Sequence, residues 1–195
     1  MGAVSPVPFA DKEFNRKVEE RIVRPTVEGL QKDGIDYRGF LFFGLMNDGG
    51  EPAVIEYHVR MGDPETEVVM PRLKTDILEL FEATATGKLA GSAFALDDRY
   101  CTTVMIVAGG YPGVYEKENV ITGFEDVKDS IVFHAGTKWK DGRVVTNGGR
   151  VIAVSSFGNE MEKALKLSYG NVGRLHFKDM NYRKDIGQDL MKLKK

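Results

Sequence analysis

One cysteine, one tryptophan, three histidines and a net charge of only −2 are all that 195 residues supply of these features, and each scarcity excludes something. Cys101, the lone cysteine, cannot close an intramolecular disulfide, which fits a reducing compartment. It sits in an apolar, strand-like run, where it reads as a small buried hydrophobe rather than a nucleophile. The near-neutral balance, with a pI near 6.0, provides no basic field to attract nucleic acid or an anionic membrane. Any anionic ligand must therefore be held by a local site. No apolar run approaches the length of about 18 residues that a membrane span needs. The opening Met-Gly-Ala-Val-Ser-Pro lacks the basic-then-apolar order of a secretory leader, and Pro6 stands where a myristoylation signal needs Ser or Thr. A cytoplasmic protein is expected.

The composition that remains is 42% apolar and 29% charged, that of a folded globular chain. Its length suits one substantial domain or two small ones. Basic residues gather near the end, at Arg183, Lys184, Lys192, Lys194 and Lys195, and the last three read as a solvated helix face.

The first ten residues, rich in proline and small side chains, predict extended or irregular backbone, with Asp11 as a helix cap. Phe14, Val18 and Ile22, then Val23, Val27 and Leu30, recur at helical spacing to about Asp33. This predicts one helix broken or kinked at Pro25, because proline removes a backbone donor and crowds the preceding turn. The apolar run Gly39–Met46, the turn signal Asn47-Asp48-Gly49-Gly50 and the alternating Pro52–Arg60 predict a β-hairpin. Leu73, Ile77, Leu80 and Phe81 mark a helix after Pro71 that ends near Gly87. From Tyr100 the texture changes to short β-rich runs separated by glycine: Cys101–Ala108, Ile131–Ala135, Arg143–Thr146 and Val151–Ser155. An antiparallel sheet is the natural assembly. A helix with Met161, Ala164, Leu165 and Ser168 on one face follows, and a short one starts near Ile186. The fold class is α+β, with a boundary in Gly87–Leu96 separating residues 1–90 from a β-rich 91–195.

The segment richest in chemistry runs from Val54 to Glu67. Strand alternation puts Glu56, His58 and Arg60 on one face, spaced about 6.6 Å apart. A carboxylate with a second ligand two residues on can hold a divalent cation, and a neighbouring arginine can steady phosphate oxygens. The same pattern also describes the wet face of a half-buried hairpin. Met61–Glu67 adds three acids around a Gly-Asp-Pro turn, more a fixed polar surface than a spacer. His134 and His176 lie in apolar or mixed stretches and read as satisfied core histidines. The glycines of Gly109–Gly113 and Gly148–Gly149 suit either close ligand approach or tight turns.

Glu56 to Thr66 resembles the Glu-Phe-Asn-x-Arg-Phe-Gly-Asp-Pro-Glu-Thr stretch that ends the ATP-grasp domain of glycinamide ribonucleotide synthetases. The resemblance extends upstream through Gly2–Pro6, Pro25–Gly29, Tyr37–Leu41 and Gly44–Met46. Downstream it takes in Ala108–Gly113, His134–Thr137, Val145–Val151 and Tyr182–Gly187, so it spans essentially the whole chain. Biotin carboxylase and other ATP-grasp enzymes share the Glu-x-Asn-x-Arg core but lack the Gly-Asp-Pro-Glu that follows.

The resemblance implies the carboxy-terminal half of an ATP-grasp domain in 1–90, then a small antiparallel carboxy-terminal domain in 91–195. It implies a ligase in which ATP phosphorylates glycine and 5-phosphoribosylamine attacks the acyl phosphate, yielding glycinamide ribonucleotide, ADP and phosphate. Glu56 and position 58 would be metal ligands, for magnesium or manganese. Arg60 would face the phosphates as a catalytic and nucleotide-binding residue. Asp63 would be catalytic and, with Glu65, bind glycine and the ribosyl amine, while Arg183 and Lys184 would grip the ribose phosphate. The family has asparagine where this chain has His58, a softer donor that disfavours magnesium and tilts the site toward manganese. Family members are about twice this length, so the chain is expected to be a fragment that needs an amino-terminal half for activity. Another ATP-grasp carboxylate–amine ligase, or a non-catalytic β-rich binding module, are the alternatives.

Overall fold

The computed structural model describes residues 1–193; Lys194 and Lys195, assigned above to a solvated terminal face, lie outside the described residues. The chain forms two compact units, one of Val7–Gly62 with Leu73–Leu96, the other of Met1–Pro6, Asp63–Arg72 and Asp97–Lys195. Helices and antiparallel sheets are mixed throughout, as the α+β class requires.

The first residues are more regular than their composition suggests: Gly2–Ser5 is a strand, β1. Asp11 caps the next helix as expected, its carboxylate accepting from the Phe14 N–H at 2.8 Å. The helix breaks earlier than Pro25. Helix α1 (Lys12–Val18) runs into a π-helical turn, Glu19–Val23, and then into α2 (Arg24–Lys32). The Arg24 N–H reaches back five residues to the Glu19 carbonyl, and this wider turn leaves Pro25 at the start of α2, where a missing N–H costs little.

Strands β2 (Phe42–Asp48) and β3 (Glu51–His58) form the expected hairpin, turning at Gly49 and Gly50, whose φ of 58° and 93° favours glycine. Lys17 and Arg21 both pair with Glu51, at 2.6 and 2.5 Å, tying the helical segment to the hairpin turn. Helix α3 (Thr66–Arg72) has no counterpart in the sequence reading, which starts a helix after Pro71. Pro71 instead sits inside α3, and α4 (Ile77–Ala85) is capped by Asp76, whose carboxylate accepts from the Leu78 N–H.

The larger unit is built on β4 (Tyr100–Val107), with further strands β5 (Ser130–His134), β6 (Thr137–Lys140), β7 (Arg143–Thr146) and β8 (Arg150–Gly158). Helix α5 (Met161–Val172), strand β9 (Asn181–Tyr182) and helix α6 (Gln188–Met191) complete it. The main sheet runs β1-β4-β8-β5, all antiparallel, and β9 joins β4 beyond β1. Strands β6 and β7 form a separate hairpin.

Both central strands are buried along almost their whole length, which is why they read as apolar runs rather than alternating ones. Val104, Ile106, Val151, Ile152, Val154, Val172 and Leu175 pack one cluster. Helix α5 lays Met161, Ala164, Leu165 and Ser168 inward, as its spacing predicts. The polar member of that stripe is satisfied: the Ser168 hydroxyl lies 2.9 Å from the Thr102 hydroxyl and donates to the Thr102 carbonyl.

Two histidine expectations fail. His134 and His176 are exposed, not core. His134 stacks on Phe124 and its Nδ1 lies 3.0 Å from the Thr137 hydroxyl, because it ends β5, where the sheet gives way to the β6–β7 hairpin. Among the described residues no helix is long and apolar enough to cross a membrane.

Candidate functional site

Glu56 and His58 belong to the smaller unit. Gly44 and Glu56 are cross-strand partners, and the register slips between Gly44 and Leu45, leaving Ile55 as an extra residue in β3. A bulge resets alternation and re-aims the side chains after it. The Glu56 carboxylate and the His58 imidazole emerge together, with Oε2 and Nε2 3.2 Å apart. Gly44 makes the room: a Cβ there would lie 2.6 Å from Glu56 Cγ. Phe42, opposite His58, places its ring 5.7 Å from the imidazole and limits where that ring can turn.

The donor spacing suits a cation. Octahedral bonds of about 2.1 Å put neighbouring ligand atoms about 3 Å apart, close to what Glu56 and His58 present. Two protein donors are all that gather: among the described residues no group of three or more His, Cys, Asp or Glu side chains could hold a metal ion. A cation at this pair would take its other ligands from substrate or water, the usual habit of magnesium at nucleotides.

Strand β3 ends at His58, so the alternation that grouped Arg60 with Glu56 and His58 stops short of it. Arg60 sits in the bend that follows, exposed, its guanidinium donating to the Met61 carbonyl at 2.9 Å.

Asp63, Glu65, Arg183 and Lys184 belong to the larger unit. Asp63 holds an ion pair with Arg150, at 3.2 Å. The Glu65 carbonyl accepts from the Val68 and Val69 N–H groups and so starts α3. Glu67, one residue into that helix, has a carboxyl raised by burial and by the charges of Asp63 and Glu65, against the opposing pull of its own backbone N–H and of Arg150. Among the described residues its Oε2 is buried without a hydrogen-bond partner. Arg183 is engaged by Asp185 through a fork, Nε to Oδ1 at 2.7 Å and Nη2 to Oδ2 at 3.1 Å. Its carbonyl accepts from the Tyr169 hydroxyl, and the carbonyl of the exposed Lys184 accepts from Gln188.

The glycine blocks are closely packed against backbone and ring atoms of this chain. A Cβ at Gly110 would lie 2.1 Å from the Val114 carbonyl oxygen, and one at Gly149 would lie 2.1 Å from Tyr111 Cδ2. Sequence reasoning gave no role to Arg150 or Gly44. Both lie in stretches that matched the family pattern, and Gly148-Gly149 before Arg150 is the one local signal that its backbone is held tightly.

Both the sequence and the fold have counterparts among known proteins. The family description "Phosphoribosylglycinamide synthetase, ATP-grasp (A) domain" matches residues 1–66, and "Phosphoribosylglycinamide synthetase, C domain" matches residues 101–189. The phosphoribosylamine–glycine ligase of Caldanaerobacter subterraneus is 42% identical over 186 residues, covering 95% of this chain and 45% of that protein. Its counterpart from Escherichia coli O6:H1 is 46% identical over 191 residues, 96% of this chain and 44% of that protein. The crystal structure of the Thermotoga maritima phosphoribosylamine–glycine ligase superposes with a TM-score of 0.80 at 36% identity, covering 95% of this chain and 46% of that one. The chain thus spans less than half the length of these relatives. It belongs to the phosphoribosylglycinamide synthetase family, matching that family's ATP-grasp and carboxy-terminal domains.

Proposed function

We propose that this chain is the carboxy-terminal part of a cytoplasmic phosphoribosylamine–glycine ligase, in which ATP, glycine and 5-phosphoribosylamine give glycinamide ribonucleotide, ADP and phosphate through glycyl phosphate. Residues 1–90 close the ATP-grasp domain and 91–195 form the carboxy-terminal domain. The observation that carries the reading is the Glu56–His58 donor pair, set by a bulge and a glycine at a spacing that suits a divalent cation.

Glu56 and His58 would hold magnesium or manganese, which would supply positive charge against the transferring phosphoryl group. Arg60 carries a fixed positive charge suited to phosphate oxygens. Asp63 and Glu65 supply the carboxylates that orient an amine. Arg183 and Lys184 receive the ribose phosphate, which must displace Asp185 from the Arg183 fork. The missing partner is an amino-terminal half of the same protein. Exposed apolar side chains on and beside the hairpin, Ile55 at 62%, Tyr57 at 52% and Val59 at 69%, support a partner surface there.

Phosphate release by a full-length ligase carrying these residues is the test. Glu56→Ala abolishes it, and the 195-residue chain alone shows none. Turnover by the isolated chain, or full activity of Glu56→Ala, overturns the proposal. His58→Asn restores preference for magnesium, read by isothermal titration of magnesium and manganese; unchanged affinities for both ions refute that role of His58.

A further inference from the structure

We propose that Arg150 is a positioning residue for Asp63, holding its carboxylate ready for a primary amine; this rests on reading Asp63 as substrate-binding. Arg150 Nη1 lies 3.2 Å from Asp63 Oδ1 and 3.5 Å from the Asp63 carbonyl oxygen. One guanidinium thus touches both the side chain and the backbone of a residue 87 positions away.

The backbone under Arg150 is built with little freedom. Arg150 opens β8 opposite Val107, where the register slips between Ile106 and Val107. Such bulges re-aim side chains. The Gly136 N–H donates to the Arg150 carbonyl at 2.8 Å. A Cβ on Gly136 would sit 2.4 Å from that oxygen and 2.7 Å from Gly148 Cα. Gly149, next in the chain, packs under the Tyr111 ring. Three glycines therefore fix the residue that points at Asp63.

Stability does not explain the pair. The two side chains are 35% and 40% exposed, and an ion pair so accessible adds little to folding. Its location matters more: Asp63, Glu65 and Glu67 lie within five positions, and Arg150 is the cation that acts on Glu67 beside them. Arg150 offsets their mutual repulsion and sets the direction of the Asp63 carboxylate, while leaving it reachable from solvent.

Steady-state constants of a full-length ligase carrying these residues test the inference. Arg150→Met raises KM for glycine, for phosphoribosylamine, or both, by about tenfold, equivalent to ~1.4 kcal/mol, while KM for ATP and the melting temperature stay put. The two amine arms identify which substrate Asp63 receives. Arg150→Lys recovers part of the loss, and Asp63→Asn with Arg150→Met is no worse than Asp63→Asn alone. If Asp63→Asn is impaired and Arg150→Met is not, the positioning role is overturned. If Asp63→Asn behaves as the parent, the reading of Asp63 itself fails. Equal effects of Arg150→Met on the ATP and amine constants reduce Arg150 to a structural residue and also overturn the inference. Should Arg150→Met fail to fold, Arg150→Gln is read by the same criteria.

Discussion

Replacing Gly136 by alanine isolates the backbone crossing beneath Arg150. The added Cβ would start 2.4 Å from the Arg150 carbonyl oxygen, 2.7 Å from Gly148 Cα and 2.9 Å from the Gly148 nitrogen. All three are backbone atoms, so no flexible side chain can swing away. Ordinary contact begins near 3.4 Å, so the two segments must part by about 1 Å, stretching the 2.8 Å hydrogen bond from Gly136 N–H to Arg150 beyond useful length. Overpacking strain of about 1–3 kcal/mol, plus about 1 kcal/mol for the weakened bond, gives a loss of roughly 2–4 kcal/mol. For a chain of this size that lowers Tm by roughly 5–15 °C. Gly170→Ala is the control. Gly170 lies exposed within α5, and an added Cβ would have nothing within 4 Å. Alanine there stabilises by about 0.4–1 kcal/mol. Circular-dichroism melting of the three proteins reads both signs. A Gly136→Ala melt within about 2 °C of the parent would refute the steric argument, since even its lower bound exceeds that shift.

Burial pushes the Cys101 thiol up to about 11, so the folded chain should resist a thiol reagent at pH 8 and react promptly once unfolded in urea; fast labelling of the native chain would contradict its placement. Glu67 has a raised carboxyl, so its folded-state contribution is intact below the ordinary glutamate range and is lost as pH rises through the raised value. Glu67→Gln should therefore melt higher than the parent at pH 7, with the difference vanishing below about pH 4; a constant difference across that window would exclude titration as its cause. Ile152→Ala opens a cavity at a fully buried position of β8 and should cost about 2–5 kcal/mol in urea unfolding, whereas Ile131→Ala, at an exposed position of the neighbouring strand, should cost far less. Equal losses would mean that β8 is not the centre of the core.

Local pattern alone determined much of this protein. The buried strands β4 and β8 were legible as apolar runs, α5 as a 3.6-residue stripe, the hairpin turn as Asn-Asp-Gly-Gly, and Glu56 with His58 as a two-residue step along a strand. Each depends on neighbours a few positions away, and so survives in a one-dimensional reading. Other features were settled by residues far apart in sequence. His134 lies in an apolar run and His176 in a mixed stretch, and only the assembled unit decides that both face water. Arg60 continues the alternation on paper, but the ladder stops at His58 because its partner there, Phe42, is the first residue of β2. Arg150 meets Asp63 across 87 positions, and no local period records that meeting. Sequence fixes which surfaces want burial and where the backbone can turn; tertiary packing chooses which charged side chains then share a space, since that choice depends on sheet register, bulges and glycine contacts summed over the whole unit.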